Sequence, residues 1–224
     1  VLVVGGNNGT GKTTLARLLV GLIEPGRGSL LIDGVDLRQI GPAWWRQQIV
    51  YLPQDPTLIH ATLRDNLNVL NPQVEDKELE SRLRQVGLGQ FLDENPQGLD
   101  RVMENGAPHL SRGIVRRLAL VRAMISKGVL ILMDEPTDGL DQAGVVMISE
   151  VITRMNEMGR TLIVFSSQSD ILRASGLMLD INSKPVPRLS HQPGAVPQKK
   201  QVWSDQSHTP PQLPNLEQTL PISS

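Results

Sequence analysis

Cysteine is absent from the 224-residue sequence, and so are long apolar runs and long basic runs. Without cysteine the chain forms no disulfide and no thiolate metal site, which is compatible with a reducing compartment. No apolar stretch approaches the roughly 20 residues of a transmembrane helix, and no secretory signal peptide is visible. The net charge of −1, without a basic cluster, argues against nucleic acid as the main partner.

The most informative segment is rich in glycine and lies near the beginning of the chain. It follows the apolar run VLVV at residues 1–4, precedes an amphipathic run at 15–20, and fits the pattern G-x-x-x-x-G-K-[ST]. In a strand, glycine loop and helix of this kind, backbone N–H groups and the helix N-terminus face a phosphate chain. A plain glycine-rich turn would explain neither the lysine nor the hydroxyl after it. The residues predicted to bind nucleotide are Gly6, Asn7, Asn8, Gly9, Thr10, Gly11, Lys12, Thr13 and Thr14.

Several side chains have specific chemical roles in such a site. Lys12 would reach the β- and γ-phosphates, and the Thr13 hydroxyl would ligate Mg²⁺. After the apolar run at residues 129–133, Asp134 would hold the Mg²⁺ shell and Glu135 would polarise an attacking water. The alternative is a pair of solvated loop carboxylates, which the phosphate loop upstream disfavours. These residues therefore predict a bound nucleotide with Mg²⁺, and the resemblance described below implies that the nucleotide is ATP.

Hydrophobic patterning predicts one α/β domain followed by a tail. Continuous apolar strands at residues 129–133 and 161–165 are typical of a parallel sheet covered on both faces, and residues 54–127 are mainly helical. The strand at 177–181 is predicted to be the last. Residues 183–224 are rich in proline, glutamine and serine and are predicted to be disordered, because they bury too little apolar surface to offset their ordering entropy.

Further motifs give the chain a resemblance to a known family. It resembles the nucleotide-binding domain of ATP-binding cassette (ABC) transporters over residues 1–181. Within that family it is similar to exporters, including type I secretion and peptide exporter cassettes. The segments that carry the resemblance are YLPQD at 51–55 (Q-loop), TLRDNL at 62–67 and MENG at 103–106 (exporter segments), LSRGI at 110–114 with RRLALVRA at 116–123 (signature), and DGLD at 138–141 (D-loop). Their order and spacing are more specific than the phosphate loop alone.

The resemblance implies a particular fold and domain organisation. The fold would be that of a P-loop NTPase (RecA-like), an α/β protein whose parallel-sheet core carries an inserted helical subdomain. That subdomain is expected at about residues 55–127, inside a partial ABC cassette at 1–182 that the tail at 183–224 follows. Because Val1 already lies inside the first strand, we expect the cassette's N-terminal strands and a fused transmembrane domain to lie upstream in a longer polypeptide.

The resemblance also implies a site shared by two cassettes that face each other head to tail. Within one cassette, Gln54, Glu135 and Ser167 would be catalytic, and Thr13, Gln54 and Asp134 would hold Mg²⁺. The residues expected to act on the partner's nucleotide are Ser111, Arg112 and Gly113 of the signature and Asp141 of the D-loop. The second cassette could be identical or different.

Three departures from the family pattern bear on activity. The signature normally reads LSGGQ, and here Arg112 replaces its first glycine and Ile114 its glutamine. Ser167 stands at the position of the switch histidine, with Gln168 as the nearest substitute. The aromatic residue that stacks on adenine would lie upstream of this chain. Because one lost γ-phosphate hydrogen bond costs about 10²–10³ in rate, we expect nucleotide binding with slow hydrolysis.

Arg112 has two interpretations. An arginine supplied in trans to a γ-phosphate can accelerate hydrolysis by about 10³–10⁵, so Arg112 could in part replace the missing histidine. In the second interpretation, which we favour, the long side chain obstructs closure of the two cassettes or points into solvent, because a glycine position there serves close backbone approach.

The sequence leaves three functions to compare. The leading one is the ATP-driven motor domain of an exporter at the cytoplasmic face of a membrane, with the bacterial inner membrane as the expected location. The alternative is a catalytically impaired regulatory cassette that binds ATP and pairs with an active one, which Arg112 and Ser167 favour and Glu135 opposes. A DNA-repair or chromosome ATPase would carry long coiled coils, and no sustained heptads occur between residues 15 and 111.

Overall fold

A six-stranded sheet forms the centre of the described part of the chain. The computed structural model describes residues 1–168 and 176–191. The strands are β1 Leu2–Gly5, β2 Leu31–Ile32, β3 Val35–Asp36, β4 Ile49–Leu52, β5 Leu130–Asp134, β6 Thr161–Ser166, β7 Leu177–Asp180 and β8 Arg188–His191. The helices are α1 Lys12–Leu19, α2 Pro42–Gln48, α3 Leu63–Asn68, α4 Asp76–Gln85, α5 Gly89–Asp93, α6 Arg112–Ile125 and α7 Gln142–Glu157, with short 3₁₀ turns at Leu37–Gln39, Gly98–Asp100 and Glu104–Gly106.

The sheet is parallel except at one edge. Its strand order is β4-β5-β6-β1-β7-β8, and among the strands of the described residues β8 alone joins this sheet antiparallel, while β2 and β3 form a separate hairpin. The predicted α/β fold with a mostly parallel sheet is therefore confirmed. Because the carboxyl ends of parallel strands meet at one edge, the loops that follow β1, β5 and β6 converge there.

Helices cover both faces of this sheet. Alternate residues of each strand point to opposite faces, so neighbouring residues of one strand belong to different layers. Leu132 and Phe165 pack in one cluster with Ala16 of α1 and Trp45 of α2. Met133 joins the larger cluster on the other face, which includes residues of α6 and α7. The apolar runs seen in the sequence are thus the strands that are buried on both sides.

The segment between β4 and β5 is built from helices. Leu79, Leu83 and Val86, which recur at helical spacing, are fully buried against the large cluster. Burial of such a side chain stabilises the fold by about 1.5–3 kcal/mol, so this stripe accounts for the position of α4. None of the described helices is long and apolar enough to cross a membrane.

The structure corrects the sequence analysis at the end of the described chain. The strand at 177–181 is not the last, because β8 pairs antiparallel with β7, from Leu177 opposite His191 to Asp180 opposite Arg188. β8 lies within the segment 183–224 for which disorder was predicted, and residues 192–224 lie outside the described residues. β8 is held by backbone hydrogen bonds at a sheet edge and buries little, with Leu189 exposed, so hydrophobic patterning does not detect it.

Candidate nucleotide-binding and catalytic site

A cavity of about 370 Å³ opens at the carboxyl edge of the sheet, where the loops after β1, β5 and β6 meet. It is lined by Asn8, Gly9, Gly11, Lys12, Thr13, Thr14, Gln54, Glu135, Asp138 and Ser167. Most of the predicted nucleotide, metal and catalytic residues therefore surround one space. The predicted metal ligand Asp134 is the last residue of β5 and directly precedes the lining residue Glu135.

Backbone geometry explains the glycines of the phosphate loop. Gly9 and Gly11 have φ angles of 82° and 98°, in the left-handed region that favours glycine. A Cβ on Gly6 would lie 2.6 Å from Thr10 Oγ1 and 2.7 Å from Ile181 Cγ1, so the loop must pass there without a side chain. Gly11 caps α1 without a side-chain hydrogen bond, which leaves the first N–H groups of the helix available to an anion.

Lys12 is folded into this loop. Its Nζ donates hydrogen bonds to the carbonyls of Gly6 and Asn7, at 2.7 and 3.2 Å. The same nitrogen lies 3.2 Å from Glu135 Oε1, and both side chains are buried. A buried ammonium is stable only when it is paired. The N–H donors of Lys12 Nζ, which could bind a phosphate, therefore contact two carbonyls and a carboxylate in this structure.

Glu135 is positioned by its backbone as well as by its charge. Its φ of 47° lies in the left-handed region, which is costly for a residue with a side chain and is concentrated at functional sites. Its N–H donates to the carbonyl of Phe165 at 2.9 Å. The N–H of Ser167 in turn donates to Glu135 Oε2 at 3.1 Å. The loops after β5 and β6 therefore hold this carboxylate between them.

Asp134 has the character of a metal ligand. It is buried, its Oδ2 accepts from the Tyr51 hydroxyl at 3.4 Å, and its Oδ1 has no hydrogen-bond partner among the described residues. Burial raises the pKa of the Asp134 carboxyl, although hydrogen bonds from Thr13 and Tyr51 oppose the shift. Leaving a buried carboxylate oxygen unpaired is costly, and a hard cation beside Thr13 would satisfy it.

Tyr51 is a member of the site to which the sequence analysis gave no role. Burial, followed by the nearby charge of Asp134, raises the pKa of its hydroxyl to about 12. The hydroxyl therefore remains a hydrogen-bond donor to Asp134 at neutral pH. This contact forms because β4 and β5 are neighbouring strands, and that pairing cannot be predicted from the sequence alone.

The structure distinguishes between Ser167 and Gln168, the two candidates for the switch position. Ser167 lines the cavity, whereas the Gln168 side chain points to Thr137, whose Oγ1 donates to Gln168 Oε1 at 2.8 Å. The N–H of Gln168 also donates to Ser166 Oγ. This geometry favours Ser167 over Gln168 as the residue beside a bound nucleotide.

The residues predicted to act on a partner lie outside the cavity. Ser111 Oγ accepts from Ile114 N at the start of α6, and Asp141 Oδ1 accepts from Gly144 N at the start of α7. Both are helix caps, which explains them within one chain. Arg112 is exposed at the first position of α6. The in-trans role of Ser111, Arg112, Gly113 and Asp141 stays a prediction.

Comparisons with known proteins agree with this geometry. The family described as ABC transporter matches residues 1–138. The chain is 34% identical over 169 residues to the glutathione/L-cysteine transport system ATP-binding/permease protein CydD of Escherichia coli K12, covering 75% of this chain and 29% of that protein. It is 31% identical over 176 residues to the mitochondrial potassium channel ATP-binding subunit of Homo sapiens, covering 78% and 24%.

A solved ABC exporter structure is also similar to this chain. The structure of a bacterial Atm1-family ABC exporter with ATP bound aligns with a TM-score of 0.72 at 27% identity, over 80% of this chain and 31% of that chain. The chain thus spans about a quarter to a third of the length of the proteins it matches.

Proposed function

The chain belongs to the ABC transporter family, whose ATP-binding domains are P-loop ATPases, and we propose that it is the ATP-binding and ATP-hydrolysing motor domain of an exporter. The observation that carries the proposal is the convergence of Lys12, Asp134, Glu135 and Ser167 at the carboxyl edge of the sheet. Both a phosphate-binding loop and a carboxylate suited to activate water lie there.

Nucleotide binding would rest on residues 6–14. The N–H groups at the start of α1 and the Lys12 ammonium would face the phosphates, whose negative charge replaces that of Glu135. On binding, Lys12 Nζ would exchange its contact with Glu135 Oε1 for phosphate oxygens. That exchange would free the carboxylate oxygen that now faces Lys12.

Mg²⁺ would be held by Thr13, Asp134 and Gln54. The unpartnered Oδ1 of Asp134 fits this ion, because carboxylate, hydroxyl and amide oxygens are the ligands it prefers. Bound Mg²⁺ would neutralise charge on the transferred phosphoryl group. Tyr51 would keep Asp134 oriented through its hydroxyl.

Glu135 would act as the base that polarises the attacking water. The Ser167 N–H fixes Oε2, so the freed Oε1 is the oxygen that would accept the proton. General-base catalysis of this kind contributes about 10²–10⁴ in rate. Ser167 offers only a short hydroxyl where a histidine would reach further, which supports slow turnover.

The partners follow from the family. A second ABC cassette would close over the nucleotide with its own Ser111 and Gly113, and a transmembrane domain would be driven by the closure. The chain would then work at the cytoplasmic face of a membrane, which in a bacterium is the inner membrane. Type I secretion of a protein or peptide is one form of export that fits the exporter segments at 62–67 and 103–106.

A second function remains open, that of a regulatory cassette which binds ATP and contributes little turnover. Two observations favour it: Ser167 occupies the cavity where a histidine is expected, and Arg112 adds a long exposed side chain at the start of α6. Such a cassette would pair with an active partner.

The deciding experiment is ATP hydrolysis by the full-length protein, reconstituted without other subunits. Turnover that is lost in Glu135→Gln and kept in Glu150→Gln, an exposed glutamate of α7, would support a working motor cassette. ATP binding without turnover would favour the regulatory function. Failure to bind ATP at all would overturn both.

A further inference from the structure

Gln54 is held at two points by Arg116 and Asp138, which the sequence analysis placed in the signature and D-loop segments without a role for either side chain. Arg116 of α6 donates from Nη2 and Nε to the Gln54 backbone carbonyl, at 2.9 and 3.2 Å. The Gln54 side chain donates from Nε2 to Asp138 Oδ2 at 3.3 Å, and Arg116 Nη2 lies 3.3 Å from the same oxygen. The three residues therefore form a closed ring of hydrogen bonds between the segment after β4, helix α6 and the loop after β5.

The chemistry of this ring determines which way the Gln54 amide faces. An ionised carboxylate accepts hydrogen bonds and cannot donate one, so Asp138 can be satisfied only by the NH₂ side of the amide. With the amide reversed, Gln54 Oε1 would face an oxygen with no proton between them. Nε2 must therefore point to Asp138, which leaves Oε1 on the opposite side of the amide.

Arg116 gives the ring its rigidity. Its side chain is only 8% exposed, whereas that of Asp138 is 50% exposed. A buried guanidinium requires acceptors, and here Gln54 O and Asp138 Oδ2 supply them. Asp138 is further tied to the catalytic loop, because its N–H donates to the carbonyl of Glu135 at 3.1 Å.

We propose that Asp138 is a positioning residue, whose carboxylate orients the Gln54 amide so that Oε1 is directed to Mg²⁺, and that Arg116 holds both residues in place. This inference rests on the proposed function, which makes Gln54 a metal ligand. Partners that orient a metal ligand typically contribute about 10–100-fold in metal affinity. Asp138 would act in the same way through Gln54.

The test is the effect of metal on nucleotide affinity in the full-length protein. Binding of a non-hydrolysable ATP analogue is measured with Mn²⁺, which accepts the same oxygen ligands as Mg²⁺, and again with EDTA. The ratio of the two affinities reports the metal contribution. The variants are Asp138→Ala, Gln54→Ala and their double mutant, with Asp55→Asn as the control, because Asp55 is an exposed acid beside Gln54.

We expect Asp138→Ala to lower the ratio about 10-fold and to leave the affinity in EDTA unchanged. In the Gln54→Ala background the same change should have no further effect, because Asp138 acts through Gln54. Asp55→Asn should match wild type. The inference is overturned if Asp138→Ala leaves the ratio unchanged, weakens binding equally with and without metal, or acts as strongly without Gln54. Absence of metal-dependent binding in the wild type would instead overturn the proposed function.

Discussion

Lys12 and Glu135 form a buried ion pair in the cavity at the carboxyl edge of the sheet, with Nζ 3.2 Å from Oε1 and side chains 7% and 8% exposed. Each charge is the main partner of the other in a space that a nucleotide phosphate would enter. A phosphate must therefore compete with Glu135 for Lys12. Under the proposed function, this ion pair would link nucleotide binding to release of the carboxylate oxygen that hydrolysis needs.

The first prediction concerns this competition. Glu135→Gln should bind ATP up to about tenfold more tightly, equivalent to ~1.4 kcal/mol, because the amide no longer neutralises Lys12. Lys12→Ala should lose nucleotide binding, since the phosphates lose their cation and Glu135 is left buried without one. Equilibrium titration with a fluorescent ATP analogue measures both, with Glu150→Gln as the control. Weaker binding in Glu135→Gln would contradict the competition.

The second prediction concerns the switch position. Ser167→His should raise the turnover of ATP at least about 10-fold, because one additional hydrogen bond to the γ-phosphate is worth about 10²–10³. The backbone N–H that holds Glu135 Oε2 is kept. ATP affinity should change little, so the effect belongs to kcat.

Two variants control this test. Ser167→Ala should bring no gain in turnover, because it removes the hydroxyl without supplying a new hydrogen-bond donor. Gln168→His should bring no gain, because the side chain at 168 points to Thr137. A gain in Gln168→His and none in Ser167→His would move the switch position by one residue.

Strand order explains which parts of this site are predictable from sequence. The glycine loop, Asp134 and Glu135 each follow an apolar strand, and parallel strands bring such loops to one edge. Their proximity therefore follows from local patterns and one topological rule. The positive φ angles of Gly9 and Gly11 are equally local, whereas the close approach at Gly6 involves Ile181 as well as Thr10 and depends in part on the tertiary fold.

Contacts between distant side chains are not predictable in this way. Gln54 is 62 residues from Arg116 and 84 from Asp138, and their ring depends on how α6 packs beside β4. Tyr51 reaches Asp134 only because β4 is the neighbour of β5. The edge strand β8 has no hydrophobic pattern of its own. In each case the missing information is tertiary packing.

The third prediction separates the two interpretations of Arg112. Arg112→Gly should raise ATP turnover or leave it unchanged, because glycine permits the close approach of a partner cassette at the start of α6. Steady-state hydrolysis by the reconstituted full-length protein measures the effect. Arg112→Lys, which keeps the charge and length, should behave like wild type. A loss of about 10³ or more in Arg112→Gly would establish the arginine finger instead.

The fourth prediction concerns the effect of the buried Asp134 carboxylate on the stability of the fold. Burial raises the pKa of the Asp134 carboxyl, so its charged form is disfavoured when no cation is present. Asp134→Asn should therefore raise the thermal unfolding midpoint in EDTA, because the amide keeps the shape without the charge. The same variant should lose the additional stabilisation that nucleotide with Mg²⁺ gives the wild type.

Asp55→Asn, at an exposed acid, is the matched control for this pair of measurements and should show neither change. Stabilisation of Asp134→Asn by Mg²⁺ with nucleotide to the same extent as wild type would show that the metal is held elsewhere.

The last prediction tests how α6, which carries the signature residues, is anchored. Arg160 Nη1 donates to the carbonyl of Ala123 at 2.8 Å, and Nη2 donates to that of Ser126 at 2.6 Å, so one guanidinium satisfies groups at the end of the helix. Arg160→Ala should lower the free energy of unfolding by about 1.5–3 kcal/mol, the usual contribution of hydrogen bonds to a charged group. Arg160→Lys should recover only part of this stability, because an ammonium lacks the planar fork of donors.

Urea unfolding of the full-length protein measures the free energy of unfolding of both variants, with Arg154→Ala at an exposed position of α7 as the control. Equal stability of Arg160→Ala and Arg154→Ala would mean that the α6 carbonyls are satisfied without Arg160, most simply by water at the helix end.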